Sequence, residues 1–136
     1  MYLSKVEHWK RHIVLFIFVL FFSITEKAMA GNCIDIISQA IEKKDVSNLT
    51  SSIEGNVVLS LPGAQANYSS AQAEMLLSDF FRKMDVKQVT LHRRGETSLV
   101  QYAIGEVSTT KGNFKLYISV KKADGQCILK ELRIEK

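Results

Sequence analysis

Residues 98–136 constrain the fold more than any other stretch of the chain. They contain three runs in which apolar and polar residues alternate, at residues 98–109, 114–122 and 126–135. Between the runs lie Gly112 with Asn113 and Asp124 with Gly125, residue types that adopt the positive φ that tight hairpin turns need. The pattern predicts three antiparallel strands joined by two hairpins, and the rest of the chain must cover this sheet.

The first 30 residues have the three parts of a secretory signal peptide. Lys5, Lys10 and Arg11 precede an apolar run of 12 residues, 13–24, and the segment closes on Ala28-Met29-Ala30. A membrane-spanning helix needs about 20 apolar residues, so this run is too short for one. We therefore predict a signal peptide at residues 1–30, a single domain at residues 31–136, and export to the periplasm or the extracellular space, with no membrane association after cleavage.

Two alternatives for the leader stay open at this point. An uncleaved N-terminal anchor is one, and a lipid anchor on Cys33 is the other, although Asn32 stands where a lipoprotein signal has a small residue. Removing the leader leaves 14 of the 18 Lys and Arg residues and 12 of the 14 Asp and Glu residues. This mild charge balance gives no indication of a nucleic-acid partner.

The middle of the chain alternates between helical and extended signals. Apolar residues recur at helical spacing in residues 34–44 and 45–53, and Asp45 is the predicted N-cap of the second helix. A short strand follows at residues 56–61 and ends at Pro62, and residues 64–68 form a stub that pairs back onto it.

The longest helix is predicted to begin after Ser69. Ser69 and Gln72 have the spacing of a capping box, and the helix runs to about Met84 before a strand at residues 86–94. Helices followed by a run of strands indicate an α+β fold. We predict a cone in which N-terminal helices pack on a curved antiparallel sheet of four long strands, with Gly105 at the bend.

Four strings in the sequence carry a family resemblance, at residues 61–81, 102–107, 112–122 and 129–136. They resemble an uncharacterised family of small exported proteins from Bacteroidetes-type bacteria, within the nuclear-transport-factor-two-like superfamily of cystatin-like folds. The resemblance implies the cone fold for nearly all of residues 31–136. It supplies no catalytic residue, because the family has no assigned activity and its superfamily contains both enzymes and binding proteins.

Enzymes of that superfamily place an acid or a histidine in the mouth of the cone, often with a tyrosine donor. Only one histidine follows the leader, His92, and alternation with Val89 and Leu91 indicates that its side chain points outward. Glu106 and Glu131 are candidate bases, and each is alternatively an ion-pair partner on the outer face. Tyr102 and Tyr117 are candidate donors, and each is alternatively a packing group.

Two cysteines, Cys33 and Cys127, follow the leader. Export allows them to form one disulfide, and two separate thiols are the alternative. Two cysteines at this separation match no metal motif, and the sequence contains no phosphate-binding or nucleophile motif. The sequence therefore predicts neither a metal nor a cofactor.

Two functions are compatible with these features. The first is a non-enzymatic exported module that either holds a small apolar ligand in the cone or binds a protein partner through the open face of its sheet. A homodimer through that face follows only from the superfamily resemblance. The second is a small lyase or isomerase of the ketosteroid-isomerase or SnoaL-like kind, with Glu106 or Glu131 as base and Tyr102 or Tyr117 as donor.

Overall fold

Three helices and six strands make up residues 32–136 in the computed structural model. The helices are α1 (Cys33–Glu42), α2 (Val46–Ser51) and α3 (Ser70–Lys83). The strands are β1 (Asn56–Leu61), β2 (Ala64–Ser69), β3 (Val86–Glu96), β4 (Val100–Thr109), β5 (Gly112–Ala123) and β6 (Gln126–Glu135).

The structure describes residues 9–14, 16–17 and 32–136. The chain divides into the units Met1–Ala30 and Gly31–Lys136, and the described residues of the first unit are helical and exposed. The predicted cleavage motif, Ala28-Met29-Ala30, lies outside the described residues, as does Gly31. None of the helices in the described ranges is long and apolar enough to cross a membrane.

All strands join one sheet in the order β2-β1-β6-β5-β4-β3. Neighbours pair antiparallel except β1 and β6, which are parallel, with Val58 opposite Glu131 and Ser60 opposite Arg133. The predicted α+β fold is therefore confirmed, with helices packed on a curved sheet that contains the four long strands β3 to β6. The difference is that the β1–β2 hairpin extends this sheet to six strands.

Local sequence signals explain where the helices begin. Ser69 Oγ accepts a hydrogen bond from the backbone N–H of Gln72 at 3.3 Å, and Gln72 Oε1 accepts one from the N–H of Ser69 at 3.0 Å. This is the predicted capping box of α3. The Asp45 carboxylate caps α2 by accepting from the N–H of Asn48 at 3.2 Å. Both predicted caps are confirmed.

The core lies between the helices and one face of the sheet. From α3, the Phe80 ring meets the rings of Phe81 and Phe114 edge to face, with centroid distances of 5.6 and 5.9 Å. The same cluster of buried residues contains Leu77, Leu116, Ile118, Leu132 and Ile134. We predicted that the long helix packs on the final strands and that the N-terminal helices help to cover the sheet. Helix α1 lies against β3, β4 and β5, while α3 lies against β1 and β2 and reaches β5 through the contact of Phe80 with Phe114.

Two register shifts bend β3 along its pairing with β4. One leaves Lys87 as an extra residue between Val86 and Gln88, and the other leaves His92 between Leu91 and Arg93. The second bulge lies at Gly105, where the sequence predicts the bend. Because the bulge reverses the alternation beyond it, Arg94 lies on the helix side, and its Nη2 is 2.6 Å from Asp35 Oδ1 of α1.

Gly105 lets the two strands approach closely. A Cβ built at Gly105 would be 2.1 Å from the carbonyl oxygen of Thr90, a backbone atom that cannot rotate away. At Gly95 the nearest atoms, at 2.1–2.2 Å, belong to the far end of the Tyr102 side chain, which can rotate.

We therefore expect Gly105→Ala to lower the free energy of unfolding by about 3 kcal/mol, and Gly95→Ala by about 1 kcal/mol. Chemical denaturation of the two variants beside the wild type measures both values. Equal losses at the two positions would contradict the close strand approach at the bulge.

Candidate functional site

The face of the sheet opposite the helices carries most of the candidate residues. Along β4, β5 and β6, buried side chains on the helix side alternate with partly or fully exposed ones on this side. We call the exposed side the open face. It is formed by three cross-strand rows, which are Tyr102–Ser119–Glu131, Ile104–Tyr117–Arg133 and Glu106–Lys115–Glu135.

The middle row forms the centre of the open face. The Ile104 residue is 43% exposed, and the Arg133 guanidinium carbon lies 6.0 Å from the centroid of the Tyr117 ring. Arg133 Nε also donates a hydrogen bond to the Glu131 carboxylate. The row therefore combines an exposed aliphatic side chain, an aromatic ring and a paired guanidinium.

A shallow depression of about 380 Å³ lies on these rows. Its lining residues are Ile104, Lys115, Leu116, Tyr117, Glu131, Arg133 and Glu135. At its edge, Ser60 Oγ donates to Glu135 Oε1 at 2.5 Å, and Ser60 itself is only 3% exposed. The Glu135 carboxylate is therefore fixed by a buried hydroxyl of β1.

The structure places two of the five catalytic candidates in the depression and a second pair beside each other outside it. Tyr117 and Glu131 line the same depression, but Arg133 already occupies the Glu131 carboxylate. Glu106 lies one row away, where His92 Nε2 is 3.8 Å from its Oε2, and the His92 side chain is 59% exposed. The Tyr102 ring packs over Gly95 of the neighbouring strand, and it lines a separate recess with Arg94 and Glu96.

Sequence reasoning missed several residues that line the depression: Ile104, Lys115, Leu116, Arg133 and Glu135. The alternation of β5 indicated that Tyr117 lies opposite the core face, but no local signal placed Arg133 beside it. That pairing depends on a register shift between β5 and β6 that leaves Lys130 unpaired.

In the described ranges no group of three or more His, Cys, Asp or Glu side chains is placed to hold a metal ion. The carboxylates with lowered pKa values lie outside the open face. Hydrogen bonds from Lys83 and then Arg82 lower the pKa of Asp79. A hydrogen bond from Lys44 Nζ, 2.6 Å from Oδ1, lowers the pKa of Asp85.

The Lys44–Asp85 pair predicts a pH effect on stability. Because folding lowers the Asp85 pKa from 3.8, the pair stabilises the fold above that value, and this contribution disappears as the pH falls through the folded-state pKa. Asp85→Asn should slightly lower the melting temperature at pH 7 and leave it unchanged near pH 2. Glu74→Gln, at an exposed helix carboxylate without an ion pair among the described residues, is the control. A deficit for Asp85→Asn that persists at low pH would argue against the ion pair.

The two cysteines form a disulfide between the start of α1 and β6, with an S–S distance of 2.04 Å and Cα atoms 5.6 Å apart. Cys33 is 1% exposed, and its backbone N–H donates to Gln101 Oε1 at 3.0 Å. Since a lipid anchor on Cys33 would need the same sulfur, that alternative and this disulfide exclude each other.

We expect the protein, purified from an oxidising compartment and unfolded without reductant, to contain no titratable thiol. The bond spans 94 residues, so Cys127→Ser should lower the free energy of unfolding by about 4–5 kcal/mol, because the unfolded chain gains loop entropy. Thiol titration and denaturant unfolding measure the two quantities. Two free thiols per chain would contradict the bond.

Comparison with solved structures identifies the class of protein. An NTF2-like protein of unknown function from Cytophaga hutchinsonii superposes with a TM-score of 0.57 at 11% identity, covering 82% of this chain and 92% of that one. A putative polyketide cyclase from Sinorhizobium meliloti superposes with a TM-score of 0.57 at 14% identity, covering 76% and 94%. At these identities the likeness shows the fold alone, and that fold is NTF2-like.

The family assignment is more specific than the fold. The chain belongs to the family described as Domain of unknown function (DUF4783), which matches residues 34–135. A DUF4783 family protein from Bacteroides ovatus is 25% identical, with a TM-score of 0.68 over 74% of this chain and 92% of that chain. No curated protein matches the sequence. The predicted membership of a Bacteroidetes-type family with an NTF2-like fold is confirmed.

Proposed function

We propose that the protein is a non-enzymatic interaction module that binds a protein surface through its open face, and that a second copy of the chain is the partner. The observation that carries the proposal is the middle row, where Ile104, Tyr117 and Arg133 lie side by side and partly exposed. Tyrosine and arginine are enriched at the energetic centres of protein interfaces, and an exposed isoleucine adds apolar area.

The charges around this centre favour a second copy. Lys115 and Arg133 are basic, Glu106, Glu131 and Glu135 are acidic, and the two signs alternate across the three rows. In a two-fold symmetric pair the same patch must complement itself. In a patch with both signs, the two-fold rotation can place the basic groups of one copy opposite the acidic groups of the other. A patch with one sign would repel its copy.

The other binding hypothesis, a small apolar ligand inside the cone, has less support. Phe114, Leu116 and Ile118 of β5 are at most 1% exposed and belong to the cluster that includes Phe80 and Leu77 of α3. These helix-side residues are occupied by packing, so the open face is the surface of the sheet left for a partner.

The alternative of a small lyase or isomerase has one observation in its favour, since Tyr117 and Glu131 line one depression. A general base needs a carboxylate free to take a proton in a site that limits water. Glu131 is paired with Arg133 in a shallow depression, and this arrangement suits an interface better than proton transfer.

A matched pair of isoleucine variants tests the interaction proposal. Ile104 on the open face and Ile36 on α1 are exposed to nearly the same extent, 43% and 41%. Ile104→Asp should remove one step of self-association in sedimentation equilibrium, because it introduces an unpaired charge at the centre of the contact. Ile36→Asp should leave self-association unchanged. A wild-type protein that stays monomeric at every concentration, or self-association that Ile104→Asp leaves unchanged, would overturn the proposal.

We further propose that the module works outside the cytoplasm, after removal of the leader. The signal-peptide pattern of residues 1–30 and the Cys33–Cys127 disulfide support this location, because disulfides persist in oxidising compartments. N-terminal sequencing of the protein recovered from its host's exported fraction should begin at Gly31. A sequence that begins at Met1 would contradict cleavage.

A further inference from the structure

We propose that the free edge of β2 is a second interaction surface, on which another copy of the chain pairs its own β2 strand. The β2 edge is defined here as the backbone of Ala64–Ser69 on the side away from β1. β2 is the first strand in the sheet order, so no other strand of the described chain pairs with it on that side.

The two edges of the sheet differ in how they are protected. At the other edge, β3 contains two bulges, at Lys87 and His92, and the basic residues Arg93 and Arg94. Bulges and charges are the usual means by which natural sheets prevent an edge from pairing with another chain. β2 has neither: its register with β1 is unbroken over six pairs, and the strand contains no charged residue and no proline.

The hairpin geometry identifies the backbone groups that point outward. Leu61 and Ala64 flank the two-residue turn of Pro62 and Gly63, so they are a hydrogen-bonded pair. Hydrogen-bonded and non-hydrogen-bonded pairs then alternate, so Ala66 and Tyr68 bond to β1. Gln65, Asn67 and Ser69 therefore direct their backbone groups outward. The N–H of Ser69 is used by Gln72, which leaves Gln65 and Asn67 with free donors and acceptors.

The lack of charge on this edge is the reason to choose a second copy as the occupant. In a two-fold pair of identical antiparallel strands, the residue on the axis lies opposite its own copy, and residues equally far from it on either side lie opposite each other. Such pairing at the β3 edge would bring Lys87, Arg93 and Arg94 of one copy close to the same basic residues of the other, and like charges across strands are destabilising. At the β2 edge only Ala, Gln, Asn, Tyr and Ser meet.

The outward groups also define the register. If the two-fold axis passes through Ala66, Gln65 of each copy lies opposite Asn67 of the other, and both outward pairs form complete antiparallel hydrogen bonds. Ala66 is then a non-hydrogen-bonded pair with its own copy, and it is exposed and small enough for the close approach of such pairs. A register centred on Asn67 would need the N–H of Ser69, which is already used.

This edge contact is independent of pairing through the open face. The open face uses side chains of β4, β5 and β6, whereas the edge contact uses backbone groups of β2. A chain with both contacts forms pairs through one and links those pairs through the other, as a closed tetramer or as an open row according to the angle between the two two-fold axes.

Disulfide trapping tests the register directly. In the exported protein, Ala66→Cys should form a disulfide-linked dimer under mild oxidation, because a non-hydrogen-bonded pair places its Cα atoms about 4.5 Å apart, within the range that a disulfide spans. Gln65→Cys is the matched control, because it lies one position along the same exposed strand and faces Asn67 of the other copy. We expect at least tenfold more linked dimer from Ala66→Cys.

A proline variant tests whether backbone pairing causes the trapping. Because the N–H of Asn67 points outward, Asn67→Pro removes an edge donor without removing a bond to β1. Added to Ala66→Cys, it should reduce the linked dimer at least tenfold while the melting temperature stays close to that of Ala66→Cys alone. Equal trapping of Ala66→Cys and Gln65→Cys would overturn the proposal. Trapping that survives Asn67→Pro would also overturn it. So would a different protein bound along the β2 edge that prevents the cross-link between copies.

Discussion

The alternation of side chains along β4, β5 and β6 is the constraint on which the rest of the structure depends. Most of the alternate residues that these strands bury under the helices are apolar, so the residues between them lie on the opposite face. The core therefore determines the open face: the positions of Ile104, Tyr117 and Arg133 follow from the burial of Ala103, Ile118 and Leu132. A change that shifts the register of one of these strands by one residue would exchange its two faces. The core and the open face would then both be lost.

Much of the fold could be predicted because its signals are local. The hairpin turns, the capping box at Ser69 and the apolar stripe of α3 each depend on residues a few positions apart, and each was found at the predicted place. The parallel pairing of β1 with β6 could not be predicted, because its partners are separated by most of the domain and neither strand contains a signal for the other.

The candidate site was less predictable than the fold, since it depends on a bulge in β6, and a bulge in β3 determines a nearby ion pair in the same way. Counting from the Asp124–Gly125 turn, an unbroken hairpin would place Leu132 opposite Tyr117, and only the extra residue Lys130 brings Arg133 there. The extra residue His92 likewise selects Arg94, not Arg93, as the partner of Asp35. Bulges of this kind arise from the packing of the whole sheet, so the sequence of one strand does not reveal them.

The position of β6 between β1 and β5 has a consequence for the order in which the domain is completed. The β1–β2 hairpin and the β3–β5 strands precede β6 in the chain and have no direct contact within the sheet; β6 is the strand that joins them. A chain that is synthesised from its N-terminus therefore has two separate groups of strands with unpaired edges until residues 126–135 appear. Insertion of this one strand also brings Cys127 to Cys33, so the disulfide can close the chain only after the last strand is available.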